Sequence, residues 1–276
     1  MSHLSRLAAA LAAVLLVAGC EKVQTTEGGA VGVEREQRMF SLLSTEQVEG
    51  MAAQAYEATL SEARAQGRLN DNPPQTDRVR AIARRLIPQV EVYRRDALNW
   101  KWEVNVEDSP ELNAYCAPGG KIMFFDGIIE RLKLSDDEIA AIMGHEMAHA
   151  LREHGRERMS KIYGQQLLAQ GVSLVTGGKY DNQINIALDV TQLAYNLPNS
   201  REHEKEADAI GLELAARAGY DPRAAISLWQ KMSQASQGQP PQFLSTHPSH
   251  ATRIEELQAK MPIVLPLYEA ARQQRS

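Results

Sequence analysis

The stretch His145-Glu146-Met147-Ala148-His149 constrains this chain more than any other. Side chains four apart on an α-helix are turned only about 40° from one another. A helix here therefore sets two imidazoles on one side, where both can reach a single ion. Between them, Glu146 is placed to take a proton from a water on that ion. The segment also carries its own helix start, because Ser135 as N-cap and Glu138 three residues on make a capping box. On a helical wheel Ile139, Met143, Met147 and Ala150 form an apolar stripe, roughly 100° or more from the two histidines. Ordinary core histidines would fall on that stripe, and these do not.

A third ligand is expected in Ser200-Arg201-Glu202-His203-Glu204-Lys205-Glu206-Ala207-Asp208, where four carboxylates compete. The wheel puts Ala207, Gly211, Leu214, Ala215 and Ala218 on a buried side, with Glu204 and Asp208 along its margin. Glu202, Lys205, Glu206, Glu213 and Arg217 fall on the opposite, solvated side. A carboxylate turned inward is costly unless it is paired or bound to a cation. Glu204 and Asp208 are thus expected to be a ligand and its neighbour.

With these residues in place, the chain resembles the HtpX-type zinc metallopeptidases, a group that includes BepA, LoiP, the CAAX prenyl endopeptidases and the mitochondrial OMA-type proteases. The resemblance runs from about Leu112 to Leu257. It adds Asn113-Ala114-Tyr115-Cys116-Ala117-Pro118-Gly119-Gly120-Lys121-Ile122 upstream, and Ser245-Thr246-His247-Pro248 with Arg253 downstream. It implies one zinc per chain held by His145, His149 and Glu204, with Glu146 as general base and Asp208 orienting a ligand histidine. A metzincin register fails, since Arg152 and Gly155 stand where its Gly and third His belong. His154 is one residue out of place and is expected to be structural.

His247 precedes Pro248, which biases it toward an extended conformation, and Ser249 is positioned to begin a helix. The resemblance implies that His247 faces the zinc, either stabilising an oxyanion or sitting on the metal and blocking it. Arg253 matches an arginine near the same pocket; an ordinary ion-pair partner is the alternative.

The chain has 276 residues, 43% of them hydrophobic, enough for one sizeable core. Its net charge of -5 gives no footprint for a nucleic-acid partner. At the start, His3 and Arg6 precede an apolar run, Leu7 to Val17, too short to cross a bilayer. Val17-Ala18-Gly19-Cys20 then resembles a bacterial lipobox, which implies a signal peptide over 1–19 and lipid attachment at Cys20. Residues 20–38 read as a polar tether, and 39–276 as a single peptidase domain. The expected location is the bacterial cell envelope, lipid-anchored and facing the periplasm, with Glu21 favouring the outer over the inner membrane. Lipidation would leave Cys116 as the one remaining cysteine, a small buried residue beside the active site, with no internal disulfide.

Pattern and breakers predict a helix from Ser44, with Gln47 completing a capping box, to Arg68. They predict another from Thr76 to about Asp96, a strand over Asn99–Glu107, and two strands over Leu112–Phe125 around Pro118-Gly119-Gly120. A short helix over Asp126–Leu132 precedes the His145 helix. Ile162–Leu197 is expected to be a helical insertion that could cover the cleft. Helices are expected over Arg201–Arg217, from Asp221-Pro222, and over Ser249–Lys260, with a polar loop over Gln234–Gln242. No internal repeat is visible. The fold class expected is α+β, a mostly helical gluzincin-type metalloprotease domain with a small β-sheet beside the active-site helix.

The function these features imply is a zinc-dependent endopeptidase; the resemblance implies that it acts on periplasmic or outer-membrane proteins in quality control, with unfolded or misassembled chains as substrates. Such substrates would add as a strand along Leu112 to Ala117, using Asn113, Ala114 and Tyr115. The alternative is a periplasmic chaperone or assembly factor with a zinc-shaped peptide cleft and little cleavage. The two differ in whether Glu146 is needed.

Overall fold

The computed structural model of the chain describes residues 20–40, 43–164, 198–235, 242–248 and 252–274. The signal segment, the insertion expected over Ile162–Leu197 beyond 164, most of the 234–242 loop and the Ser249 helix start lie outside the described residues. Two short strands, β1 (Cys20–Val23) and β2 (Gln37–Phe40), pair antiparallel with Cys20 opposite Phe40. Helix α1 (Thr45–Ala65) starts at Ser44, whose capping box with Gln47 is complete. Helix α2 (Pro73–Leu86) starts at the N-cap Asn72. It gives way to 3-10 turns over Ile87–Val92 and Arg95–Asn99 rather than continuing to Asp96. Pro88 explains the change, since it has no N–H and its ring clashes with the carbonyl four residues back.

Strands β3 (Glu103–Glu107), β4 (Ala114–Ala117) and β5 (Lys121–Phe125) form a sheet in the order β3-β5-β4. β3 runs parallel to the central β5, and β4 antiparallel to it, which leaves β4 an edge. The alternation of side chains across the strands decides what covers each face. Ala114, Ile122 and Phe124 join the main core with Ile139, Met143 and Met147. Tyr115, Met123 and Phe125 pack instead with Tyr56 and Leu60 of α1. The sheet is thus held between α1 and the His145 helix.

The remaining helices are α3 (Asp126–Arg131), α4 (Asp136–Leu151), α5 (154–164), α6 (Arg201–Arg217), α7 (Ala224–Ala235), α8 (Gln242–Thr246) and α9 (Arg253–Gln273). Asp221 accepts from the Arg223 N–H as the expected N-cap does, but the first turn closes through bonds three residues back, from the N–H groups of Ala224 and Ala225 to the carbonyls of Asp221 and Pro222, so the α-helix proper begins at Ala224. α9 passes through Pro262 and Pro266 instead of stopping at Lys260. Leu257, Met261 and Val264, spaced for one helix face, bury against the core there and hold the helix through the lost hydrogen bonds.

The stretch expected to be a free tether is part of the domain. Val31 and Val33 belong to the main core. The N–H groups of Ala30 and Val31 donate to Glu213, and Lys260 donates to the Val31 carbonyl. This packing also corrects the helical wheel of α6. Glu206 and Glu213 are buried, 7% and 0% exposed, whereas Glu202 and Lys205 are exposed as expected. The N-terminal segment lies over the side of α6 that the wheel assigned to solvent.

α4 is buried along nearly its whole length, against α6, β4, α7 and α2. Its closest approach is to α6, where glycines face each other. A Cβ on Gly144 would sit 2.7 Å from the Gly211 carbonyl oxygen, and one on Gly211 would sit 2.6 Å from the His145 nitrogen. Backbone cannot yield as a flexible side chain can, so Gly211→Ala must force the helices apart. The expected loss is about 1–3 kcal/mol of stability, together with weakened metal binding, because the same two helices carry the donors. Thermal denaturation and metal content of the variant check this; wild-type values for both would show that the helices tolerate separation.

Candidate metal centre

His145 and His149 on α4, Glu204 on α6 and His247 after α8 bring donor atoms within 4.8 Å of one another. His145 Nε2 lies 3.0 Å from His149 Nε2 and 3.6 Å from Glu204 Oε2. Glu204 Oε1 lies 3.4 Å from His149 Nε2. Bonds of about 2.0–2.1 Å to a tetrahedral zinc would separate its donors by about 3.3 Å, so this spacing fits. Glu204 Oε1 is also buried without a hydrogen-bond partner. A buried carboxylate oxygen facing two imidazole nitrogens is costly without a cation. Two imidazoles and one carboxylate suit zinc better than the hard cations, which prefer all-oxygen sites.

Each histidine is held from behind. His145 Nδ1 is 3.0 Å from Asp208 Oδ1. Arg253 donates to that same oxygen at 2.7 Å and to Glu204 Oε2 at 2.7 Å, while its guanidinium lies 3.5 Å above the Trp229 ring. Burial alone would raise Asp208 and Glu204. Arg253 and His145 outweigh it at Asp208, as His247, His145 and Arg253 do at Glu204, so both stay below the ordinary carboxylate range. Arg253 is thus the ion-pair partner of the centre as well as a residue of its pocket.

His149 Nδ1 is 2.8 Å from His154 Nδ1, and His154 Nε2 is 2.9 Å from Glu206 Oε2. The sequence reading set His154 aside as structural and Glu206 as solvated, and missed that they meet behind the second histidine. The chain turn that permits this lies at Arg152 and Glu153, with Glu153 at φ 51°. Such a left-handed residue without glycine is strained; Arg94 and Arg156 hold its carboxylate at 2.6 and 2.9 Å. Burial pushes His149, His154 and His247 well below the ordinary histidine range, so their rings are neutral and can offer lone pairs.

Glu146 lies on the cleft side of the donors. Burial first, then the charge of Glu204, pushes its carboxyl well above the usual range, while a backbone hydrogen bond from Cys116 opposes this. Its Oε1 has no hydrogen-bond partner and lies 3.3 Å from His247 Nε2. His247 Nδ1 is 3.1 Å from the Phe243 carbonyl, and the two rings stack at 4.3 Å. Cys116 is buried with a free thiol next to Glu146, and burial raises its thiol. The cleft in front of these groups is bordered by Asn113, Ala114 and Tyr115 of the edge strand and by Val48, Ala52 and Ala55 of α1. Residue 113 turns its carbonyl to β5, where it accepts from the Phe125 N–H. The alternation then turns the Ala114 and Cys116 main-chain groups toward the cleft.

The relatives of the chain include metalloendopeptidases of eukaryotes and bacteria. A bovine protein called metalloendopeptidase OMA1, mitochondrial, is 35% identical over 61% of this chain and 34% of its own length. The mitochondrial metalloendopeptidase OMA1 of Schizosaccharomyces pombe is 32% identical over 82% of this chain and 64% of its own. The metalloprotease LoiP of Escherichia coli is 23% identical over 55% and 59%. The chain spans between about a third and two thirds of the length of these relatives. Relatives at about a third identity are thus named as mitochondrial. This overturns the bacterial-envelope location, outer membrane favoured, that the first twenty residues suggested. Among the described residues no helix is long and apolar enough to cross a membrane. The family model described as Peptidase family M48 matches residues 73–261, which include every donor of the centre. The chain belongs to peptidase family M48, a family of zinc metallopeptidases.

Proposed function

We propose that this chain is a zinc-dependent endopeptidase that cleaves extended segments of unfolded or misassembled proteins, in a quality-control role. The observation that carries the reading is Glu146, a buried carboxylate with an unpartnered oxygen, set beside the donor group of His145, His149, Glu204 and His247. Zinc held by His145, His149 and Glu204 would supply Lewis acidity toward water and the attacked carbonyl. Glu146 takes the proton of the attacking water and delivers it to the leaving amide nitrogen. Its raised proton affinity suits acceptance, and a dication among the donors would offset the charge of Glu204. The outward carbonyls of Ala114 and Cys116 offer a substrate strand hydrogen-bond acceptors that do not depend on its side chains, their N–H groups being engaged by Asn113 and Glu146. This suits an enzyme that meets many different unfolded chains.

His247 governs the resting state in this reading. His247 Nδ1 stands 2.9 Å from the Thr246 hydroxyl, which can donate or accept, and 3.1 Å from the Phe243 carbonyl, which only accepts; with Nδ1 donating, the neutral ring keeps a bare Nε2 toward the centre. It then acts as a fourth ligand that substrate must displace, and not as a hydrogen-bond donor. Lipid attachment at Cys20 is a separate proposal, resting on Val17-Ala18-Gly19-Cys20 alone, and the intact mass of the purified chain decides it.

Two substitutions assayed on an unfolded protein substrate test the proposal. Glu146→Gln is expected to lower cleavage by about 10²–10⁴-fold with zinc retained. Undiminished turnover would remove Glu146 as the base, and an absence of cleavage by the wild-type chain would favour a peptide-binding factor. His247→Ala is expected to raise basal cleavage. A fall in kcat of about a hundredfold with zinc affinity intact would show instead that it donates to the oxyanion.

A further inference from the structure

We propose that residues 24–37 form a positioning arm of the metal centre, in which Arg35 fixes the metal-facing nitrogen of His149 through Glu206 and His154. Arg35 spans two buried carboxylates. Its Nε and Nη2 donate to Glu206 at 2.5 and 3.1 Å, and its Nη1 and Nη2 donate to Glu157 at 3.0 and 2.9 Å. Arg152 donates to Glu206 Oε2 at 3.1 Å and reaches back to the arm at the Arg35 carbonyl (2.8 Å) and the Thr26 hydroxyl (3.1 Å). Gln37 closes the loop by donating to the Arg152 carbonyl and to Glu157.

The consequence for the metal follows from donor and acceptor roles. A carboxylate held by two guanidinium groups only accepts, so the proton of neutral His154 sits on Nε2, 2.9 Å from Glu206 Oε2. His154 Nδ1 is then a bare acceptor. His149 Nδ1, 2.8 Å away, must carry a proton to donate to it. That leaves His149 Nε2 with its lone pair aimed at His145 Nε2 and Glu204. Asp208 imposes the same tautomer on His145 directly; on His149 it is imposed one residue further out and is anchored by the arm. His154 cannot swing away from this role, because its ring stacks on His203 at 4.2 Å with planes 10° apart, and His203 in turn pairs with Glu157. The arm lies outside the region matched by the family model, 73–261.

The test compares zinc affinity, by competition with a chelator, and the tautomer of His149, by long-range 1H–15N spectra of histidine-labelled full chain. Arg35→Ala is expected to weaken zinc about 10–100-fold and to give His149 a mixture of tautomers. Arg35→Lys, which keeps the charge but not the fork, should recover part of both. Lys260→Ala releases the same segment at Val31, away from the relay, and should leave zinc affinity and the His149 signals unchanged. If Arg35→Ala does not fold, Arg35→Lys carries the test with an expected loss of at least about threefold. Wild-type zinc affinity and a single His149 tautomer in the Arg35 variant that folds would overturn the proposal. So would an equal loss in Lys260→Ala, which would show that the segment only stabilises the fold.

Discussion

The close passage of α4 and α6 at Gly144 and Gly211 sets the geometry on which the rest of the centre depends. With no side chain between them, the two backbones approach to within contact distance, a Cβ at either position meeting the other helix at 2.6–2.7 Å. That approach lets a glutamate on one helix share an ion with two histidines on the other. The sheet on one side of α4 and α7 on another leave it no direction in which to relax. The ligand spacing is therefore a property of helix packing before it is a property of the ligands.

Such a site concentrates buried charge, and buried charge is tolerated only when paired. Arg253, 1% exposed, meets this on one side by bridging Glu204 and Asp208. Arg152 and Arg35 meet it on the other by holding Glu206. The two ligand histidines thus have parallel supports, one carboxylate away in the case of His145, and one imidazole and one carboxylate away in the case of His149. Support of this kind selects the tautomer that presents a lone pair to a metal.

What could be read from the sequence were features encoded within a few residues. The capping boxes at Ser44 and Ser135 depend on residues three apart, and both form as expected. The helical turn places His145 beside His149, and the Glu204 and Asp208 carboxylates do turn inward toward His145. The wheel failed for Glu206 and Glu213 because it shows a helix alone. It has no knowledge of residues 24–37, more than 160 positions away, packing over the face assigned to water. The same blindness made that segment look like a tether, since its polar groups find partners only in the folded domain. His154 was missed for a related reason: its approach to His149 depends on the left-handed turn at Glu153, which a glutamate does not announce. The location was misjudged from twenty residues read alone, against relatives that match along most of the domain.

The central claim is that two imidazoles and one carboxylate, delivered by two helices, hold a single zinc. X-ray absorption at the zinc edge of the full-length chain tests it most directly. The account predicts a first shell of nitrogen and oxygen alone at about 2.0–2.2 Å, with imidazole scattering from His145 and His149, one more imidazole where His247 occupies the fourth position, and loss of a carboxylate in Glu204→Ala. A sulfur neighbour at about 2.3 Å, which only a thiolate such as Cys116 could supply, would contradict it, as would a shell unchanged in Glu204→Ala.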